Sequence, residues 1–138
     1  MTNVGNIEQQ ITAIEKYLSE SGRFKKYSQD ELIGNLDLLR SCERSLYLLT
    51  QSCIDLAESV ISFKSFRKPT TLKEAFGILN ENGLIDYGLA KSLSNMTGFR
   101  NALAHDYGNF DYDIMYKVLQ NGSKDIEEFI ASVKKAIE

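Results

Sequence analysis

One ten-residue segment, 98–107, concentrates the side chains of this chain that are suited to chemistry. It contains the only histidine, His105, with Arg100 five residues before it and with Asn101 and Tyr107 close by. Imidazole is well suited to proton transfer near neutral pH, and a guanidinium can bind a phosphate group through two N–H groups. Such a pair could cleave RNA, because the base removes the ribose 2′-OH proton while the cation stabilises the phosphorane-like transition state.

Helix geometry limits how these side chains can meet. Asn101 and His105 are four residues apart and share one face of an ideal helix. Arg100 and His105 differ by about 140° around the axis at ~100° per residue, so they do not overlie each other. Their convergence requires the long arginine side chain, unwinding near the helix end, or a partner subunit. The alternative interpretation is structural, since a histidine at a helix C-terminus interacts favourably with the helix dipole.

The composition indicates an ordinary globular chain. It has 138 residues, of which 16 are basic and 19 acidic, for a net charge of −3. This length fits a single domain, 1–138, that can bury a core without metal or disulfide crosslinks. No apolar stretch approaches the ~20 residues of a membrane span, and the N-terminus lacks a secretory signal pattern. We therefore expect a cytoplasmic protein that is not associated with a membrane.

The two cysteines, Cys42 and Cys53, are interpreted as small core residues. Eleven residues apart on one helix, they would lie about 16 Å from each other at ~1.5 Å per residue, which is too far for a disulfide. Two separated cysteines and one histidine cannot form the usual four-ligand zinc site. The sequence therefore predicts neither a bound metal nor another cofactor.

Helical periodicity is strong throughout the chain and predicts an all-α, four- to five-helix up-and-down bundle. Capping signals occur at Ser28–Glu31, at Thr71–Glu74 and at the aspartates Asp86 and Asp111. Asn82–Gly83 is a typical C-terminal stop. The predicted helices cover residues 4–18, 28–63, 71–82, 86–105 and 111–137, and Ile114 is expected among the inward residues of the last one.

The second predicted helix has a seven-residue apolar repeat from Leu39 to Phe63, which indicates lengthwise packing on a partner helix. Unbroken, it would be about 50 Å long, and further apolar residues widen its stripe. We therefore expect this helix to line a homodimer interface as well. Its opposite, polar face consists of Arg40, Arg44, Tyr47, Gln51, Asp55 and Glu58.

The stretch FRNALAHDY resembles the signature of the HEPN superfamily, and specifically of the HepT toxins in prokaryotic HEPN/MNT toxin–antitoxin pairs. That signature is Arg, four residues, His, one residue and Tyr, which here falls on Arg100, His105 and Tyr107, with Asn101 in the polar position after the arginine. Similarity extends to LLRSCERSLYLLTQSCIDLAESVI, TLKEAFGILNENGLID and NMTGFRN, so it covers nearly the whole chain.

The resemblance implies a metal-independent endoribonuclease toxin with its site at the cleft of a homodimer. Arg100 and His105 would be the catalytic pair, and Asn101 would support or orient them. Tyr107 would be the residue that a cognate MNT-type nucleotidyltransferase antitoxin modifies with AMP, using ATP and magnesium that belong to this partner. Each AMP would add a bulky anion beside the site and so repel the RNA backbone.

The mild acidity of the chain is unusual for a nucleic-acid binder. Arg40 and Arg44 are the candidates for RNA binding near the cleft, whereas the basic loop clusters at 23–26 and 64–68 are as well explained as solvated surface. Two alternatives stay open. One is a non-catalytic helical module that binds a nucleotide or docks to a nucleotidyltransferase, and the other is a purely structural dimeric bundle.

Overall fold

The computed structural model describes residues 3–105 and 111–138, with the side chain of His105 outside the description. All regular secondary structure in these ranges is helical, which confirms the all-α prediction. None of the described helices is long and apolar enough to cross a membrane. The helices of the described ranges are α1 (Val4–Gly22), α2 (Gln29–Ile33), α3 (Leu36–Phe63), α4 (Glu74–Glu81), α5 (Tyr87–His105) and α6 (Tyr112–Ala136), with a 3-10 turn (Arg23–Lys26) after α1.

The second helix of the sequence prediction is divided into α2 and α3. Ser28 and Glu31 form the predicted capping box, in which each side chain accepts the other residue's backbone N–H. However, α2 is only five residues long. The Asn35 side chain accepts the N–H of Leu38 at 3.1 Å and begins a new helix, because a side-chain oxygen satisfies one of the unpaired amides of its first turn. The structure therefore contains more, shorter helices than the periodicity predicts.

Most of the other helix ends lie where the sequence places them. Asp86 accepts the N–H of Leu89 at 2.7 Å in the first turn of α5, and Asp111 caps α6. Gly83 has a φ of +73°, a conformation that costs glycine little and ends α4 as predicted. The Thr71–Glu74 capping box forms only by half. The Thr71 side chain accepts the N–H of Glu74 at 3.3 Å, but the Glu74 carboxylate accepts the N–H of Thr70 instead of that of Thr71.

The central element is α3, which contacts each of the other five helices. Its apolar repeat is buried from Leu39 to Val60, and Phe63 packs at the edge of the core. The additional apolar residues Ile54, Ala57 and Ile61 are also buried within this one chain. Of the other two residues that widen the stripe, Leu36 is 61% exposed and Leu48 is half-buried. Intrachain packing therefore accounts for most of the stripe, and the homodimer interface stays a prediction.

The helix α6 closes the core with most of its expected residues inward, and only its first turn differs from the prediction. Met115 is fully buried, whereas Ile114, expected inward, is 49% exposed. The reason is that Met115 and Leu119 share the face that continues through Phe129, and Ile114 lies about 100° to its side. Phe129 packs edge to face on Phe76 of α4 with ring centroids 5.5 Å apart, an arrangement that aromatic pairs prefer.

Candidate functional site

The guanidinium of Arg100 lies against the polar face of α3. Its Nε donates to Oε1 of Gln51 at 2.6 Å, and its Nη2 donates to the hydroxyl of Tyr47 at 3.2 Å. Its Nη1 donates to Oδ1 of the neighbouring Asn101 at 3.0 Å. The crossing of α5 over α3 therefore brings the candidate arginine onto two side chains that lie one helical turn apart.

The ring of Tyr47 interacts with two arginines. The Cζ atom of Arg100 is 5.2 Å from the ring centroid, and the Cζ atom of Arg44 is 5.5 Å from it. Both distances lie within the range in which a cation is attracted to the face of an aromatic ring. The ring of Tyr47 thus contacts two guanidinium groups, which lie close together in one small region of the protein.

Gln51 is itself oriented by a second contact. Its Nε2 donates to Oδ1 of Asp55 at 2.9 Å, one turn further along α3. Since the amide NH₂ is directed to this carboxylate, the amide oxygen is left to face Arg100. The three residues Tyr47, Gln51 and Asp55 form a row at i, i+4 spacing, which we call the α3 row.

The charge of Arg100 is not neutralised within the described part of the chain, where no carboxylate lies at salt-bridge distance from it. Its three hydrogen bonds go to neutral oxygens, one from each nitrogen. A guanidinium has five N–H groups, so two of them, one on each terminal nitrogen, have no hydrogen-bond partner among the described residues. Arg100 is half-buried, and a fixed cation with two such N–H groups can bind a phosphate bidentately.

The two other arginines of this face differ in their surroundings. A hydrogen bond to Tyr112, and after it the ion pair with Glu43, raise the pKa of Arg40. Arg44 is exposed and stacks on Tyr47, and no described carboxylate forms an ion pair with it. Of the two arginines expected to bind RNA, Arg44 is therefore the one available to an incoming anion.

The remaining candidates lie at or beyond the end of α5. The described part of α5 extends to His105, and the side chain of this residue, like all of Tyr107, is outside the described residues. Asn101 is exposed on α5 and accepts from Arg100, so a supporting contact between these neighbours exists. The structure thus brings Arg100 together with Asn101, and the pairing of Arg100 with His105 stays a prediction.

Several side chains of the basic loop clusters at 23–26 and 64–68 contact other residues of the chain. Arg67 forms ion pairs with Glu74 and Glu81, and Lys64 lies over the ring of Phe63. Lys25 donates to Ser123 of α6, and Arg23 lies over the ring of Phe24. These contacts favour the interpretation of both clusters as ordinary surface.

The cysteines are buried and free of disulfides, as expected. Burial, with a smaller contribution from Glu43, raises the pKa of Cys42 to about 11, and burial with Asp55 raises that of Cys53 to about 12. In the two described ranges, no three His, Cys, Asp or Glu residues are grouped so that they could hold a metal ion.

The α3 row was visible in the sequence only as part of a polar helix face. Three polar residues at positions 47, 51 and 55 share that face at i, i+4 spacing. Such a pattern also fits a solvated surface, because it carries no information about which helix crosses it. The role of Gln51 and Asp55 next to Arg100 was therefore not predicted.

Comparison with known proteins matches residues 7–133 to a family described as ribonuclease HepT-like. A Shewanella oneidensis protein described as an mRNA nuclease HepT is 30% identical over 136 residues, which cover 97% of this chain and 95% of that protein. An Aphanizomenon flos-aquae protein described as a tRNA nuclease HepT is 32% identical over 113 residues, 80% of this chain and 77% of that protein.

A solved structure is similar over almost the same length. It is described as a tri-AMPylated Shewanella oneidensis HEPN toxin in complex with MNT antitoxin. The TM-score is 0.85 at 28% sequence identity, and the match covers 94% of this chain and 96% of that one.

Proposed function

This chain belongs to the HepT-like ribonuclease family, and on that premise we propose that it is an endoribonuclease toxin whose catalytic pair is Arg100 and His105. The observation that carries the proposal is the state of Arg100. Its half-buried guanidinium is held by three neutral acceptors, and within the described ranges two of its N–H groups and its charge have no partner. This is the arrangement that a transferring phosphoryl group requires of a cation.

The proposed reaction needs no metal. The imidazole of His105 removes the proton of a ribose 2′-OH, and the resulting oxygen attacks the adjacent phosphorus. The bond from phosphorus to the 5′ oxygen then breaks, which leaves a 2′,3′-cyclic phosphate, and the leaving oxygen takes a proton from a second, protonated imidazole. Arg100 stabilises the additional negative charge on the phosphoryl oxygens, with Asn101 supporting the guanidinium.

The proposed complete site lies between two copies of the chain. Arg100 and His105 point about 140° apart on an ideal helix, so a second copy provides the simplest way to bring an imidazole to each guanidinium. A dimer also supplies two histidines, one for the base and one for the acid. This part of the proposal rests on the family resemblance and on the helix geometry.

The proposed control is AMP transfer to Tyr107 by a cognate MNT-type nucleotidyltransferase. The similar Shewanella oneidensis toxin, which carries AMP and is bound to an MNT antitoxin, supports this proposal. Tyr107 lies two residues after His105 in the sequence. An added phosphate there would place negative charge next to the site where the RNA backbone must bind. ATP and magnesium would be bound by the partner.

The test is RNA cleavage by purified protein in the presence of EDTA. Wild type is expected to cleave, whereas His105→Ala and Arg100→Ala are expected to lose at least about 100-fold in rate, since a general base contributes about 10²–10⁴-fold. Gln9→Ala, an exposed substitution on α1, is the matched control and should retain the wild-type rate. Equal cleavage by wild type and His105→Ala would overturn the proposed mechanism.

Co-expression with a nucleotidyltransferase tests the second half of the proposal. The peptide that contains Tyr107 is expected to gain the mass of one or more AMP units, and Tyr107→Phe should abolish this gain. Protein that binds the nucleotidyltransferase tightly but cleaves no RNA would instead support the non-catalytic docking module.

A further inference from the structure

We propose that Gln51 and Tyr47 are positioning residues for Arg100, and that Asp55 sets the orientation of the Gln51 amide. The inference rests on the proposed function, since it concerns how the catalytic arginine is held. It assigns the α3 row a role in the reaction that the family signature, which lies entirely on 100–107, does not contain.

Three contacts fix the position and the orientation of the Arg100 guanidinium plane. The hydrogen bond from Nε of Arg100 to Oε1 of Gln51, 2.6 Å long, fixes the position of the guanidinium. The bond from Nη2 to the Tyr47 hydroxyl, at 3.2 Å, sets the rotation of the plane. The Tyr47 ring, 5.2 Å from Cζ, lies within cation–π range of the guanidinium. Because phosphate recognition by arginine depends on the direction of its N–H groups, this restraint determines where a phosphate can bind.

Asp55 determines which end of the Gln51 amide meets the arginine. Only the amide oxygen can accept from Nε, because the amide nitrogen and the guanidinium are both donors. A carboxylate only accepts, so the contact between Nε2 and Asp55 holds the NH₂ group on the far side. The Gln51 amide also lies between Asp55 and Arg100. The Asp55 carboxylate therefore orients the guanidinium through this amide and does not form an ion pair with it.

The alternative is that these residues only stabilise the fold. The degree of burial of the α3 row distinguishes this role from the positioning of Arg100. Asp55 is exposed and Gln51 is half-buried. The Gln51–Asp55 bond is exposed and the two bonds to Arg100 are part-buried, so each is expected to contribute no more than about 0.5–1.5 kcal/mol to stability. A misplacement of about 1 Å of a catalytic group, in contrast, can cost about 100-fold in rate. Positioning therefore predicts a loss of activity without a matching loss of stability.

The kinetic test compares Gln51→Ala, Tyr47→Phe and Asp55→Ala with the matched control Gln9→Ala. We expect Gln51→Ala to lower kcat by about 10- to 100-fold with KM within about twofold, because the lost orientation matters most in the transition state. Tyr47→Phe keeps the ring and loses only the hydroxyl, so its loss should be smaller. Asp55→Asn should rescue most of the activity that Asp55→Ala loses, since an amide oxygen can still accept from Gln51. Wild-type kcat for both Gln51→Ala and Asp55→Ala would overturn the inference.

A spectroscopic readout separates this inference from the proposed function. In ¹⁵N NMR, the Nε–H of Arg100, assigned by its absence in Arg100→Lys, is expected to exchange slowly with water in wild type and fast in Gln51→Ala and Asp55→Ala. Unchanged exchange in both variants would overturn the positioning role even if Arg100→Ala abolishes cleavage. Conversely, equal cleavage by wild type and Arg100→Ala would overturn the proposed function, whatever the exchange shows.

Discussion

Arg44 lies over the ring of Tyr47, with its Cζ atom 5.5 Å from the ring centroid, while Arg100 approaches the same ring from α5 at 5.2 Å. The two guanidiniums come from helices that are far apart in the sequence. They give a protein with a net charge of −3 a local cationic surface. RNA binding by a mildly acidic chain is thus physically reasonable, because the field near a surface depends on the local arrangement of charges.

The first prediction concerns the two arginines on the polar face of α3. Arg44→Ala is expected to raise KM for RNA several-fold and to reduce the slope of log affinity against log salt by about 0.7–0.9, the contribution of one phosphate contact. Arg40→Ala is the matched control, and its effect should be smaller because Arg40 already pairs with Glu43. Binding measured by fluorescence anisotropy at several salt concentrations checks this. A larger effect of Arg40→Ala would contradict it.

The second prediction concerns pH. Hydrogen bonds from the Thr70 backbone, from Arg67 and from the Thr70 hydroxyl lower the pKa of Glu74 from 4.5 to about 2. Because the folded pKa is depressed, the stabilisation is fully present above about pH 4.5 and is lost as the pH falls toward 2. The difference in unfolding free energy between wild type and Glu74→Gln should therefore shrink from pH 5 to pH 2. Urea unfolding across that range measures it, and a pH-independent difference would contradict the prediction.

The third prediction concerns the thiols. Burial raises the pKa of Cys42 to about 11 and that of Cys53 to about 12, and the thiolate is the reactive form. Both cysteines should therefore stay unmodified by Ellman's reagent in the native protein at pH 8. Both should react promptly after unfolding in guanidinium chloride. Rapid reaction of either thiol in the native state would show that its surroundings are more open than the structure describes.

The fourth prediction concerns the core between α4 and α6. Phe129 is fully buried against Phe76, so Phe129→Ala is expected to lower the unfolding free energy by about 3–5 kcal/mol, with the m-value unchanged. Ile114→Ala, on the same helix but 49% exposed, should cost less than about 1 kcal/mol. Similar costs for the two substitutions would mean that the observed register of α6 is wrong.

Local signals in the sequence accounted for most of the helix ends. Ser28, Asp86 and Asp111 each accept a backbone N–H at the start of the helix that they were expected to cap. Such contacts span three residues, so their participants are adjacent in the sequence and can be recognised there. The break before α3 was missed because the predicted helix was extended without interruption from the cap at Ser28 to the apolar repeat that begins at Leu39, and Asn35, which caps α3, lies between them.

For α3, the sequence predicted which residues form the apolar seam but not which elements pack on it. The buried seam was predictable, because a period of 3.5 residues is written in the sequence itself. The structure shows that α1, α4 and α5 pack on this seam within one chain, and the prediction that α3 also faces a second subunit stays a prediction. Burial depends on all the helices together, and a pattern on one of them cannot identify the others.

The amino-acid sequence by itself determined the helical class, most of the helix boundaries and the segment that carries Arg100, Asn101 and His105, because each depends on neighbours within one or two turns. Only the tertiary structure decided that Arg100 lies on Tyr47 and Gln51, which are 53 and 49 positions away from it in the sequence. These contacts arise from the crossing of two helices, and the position of that crossing is set by the packing of the whole core, which no local periodicity records.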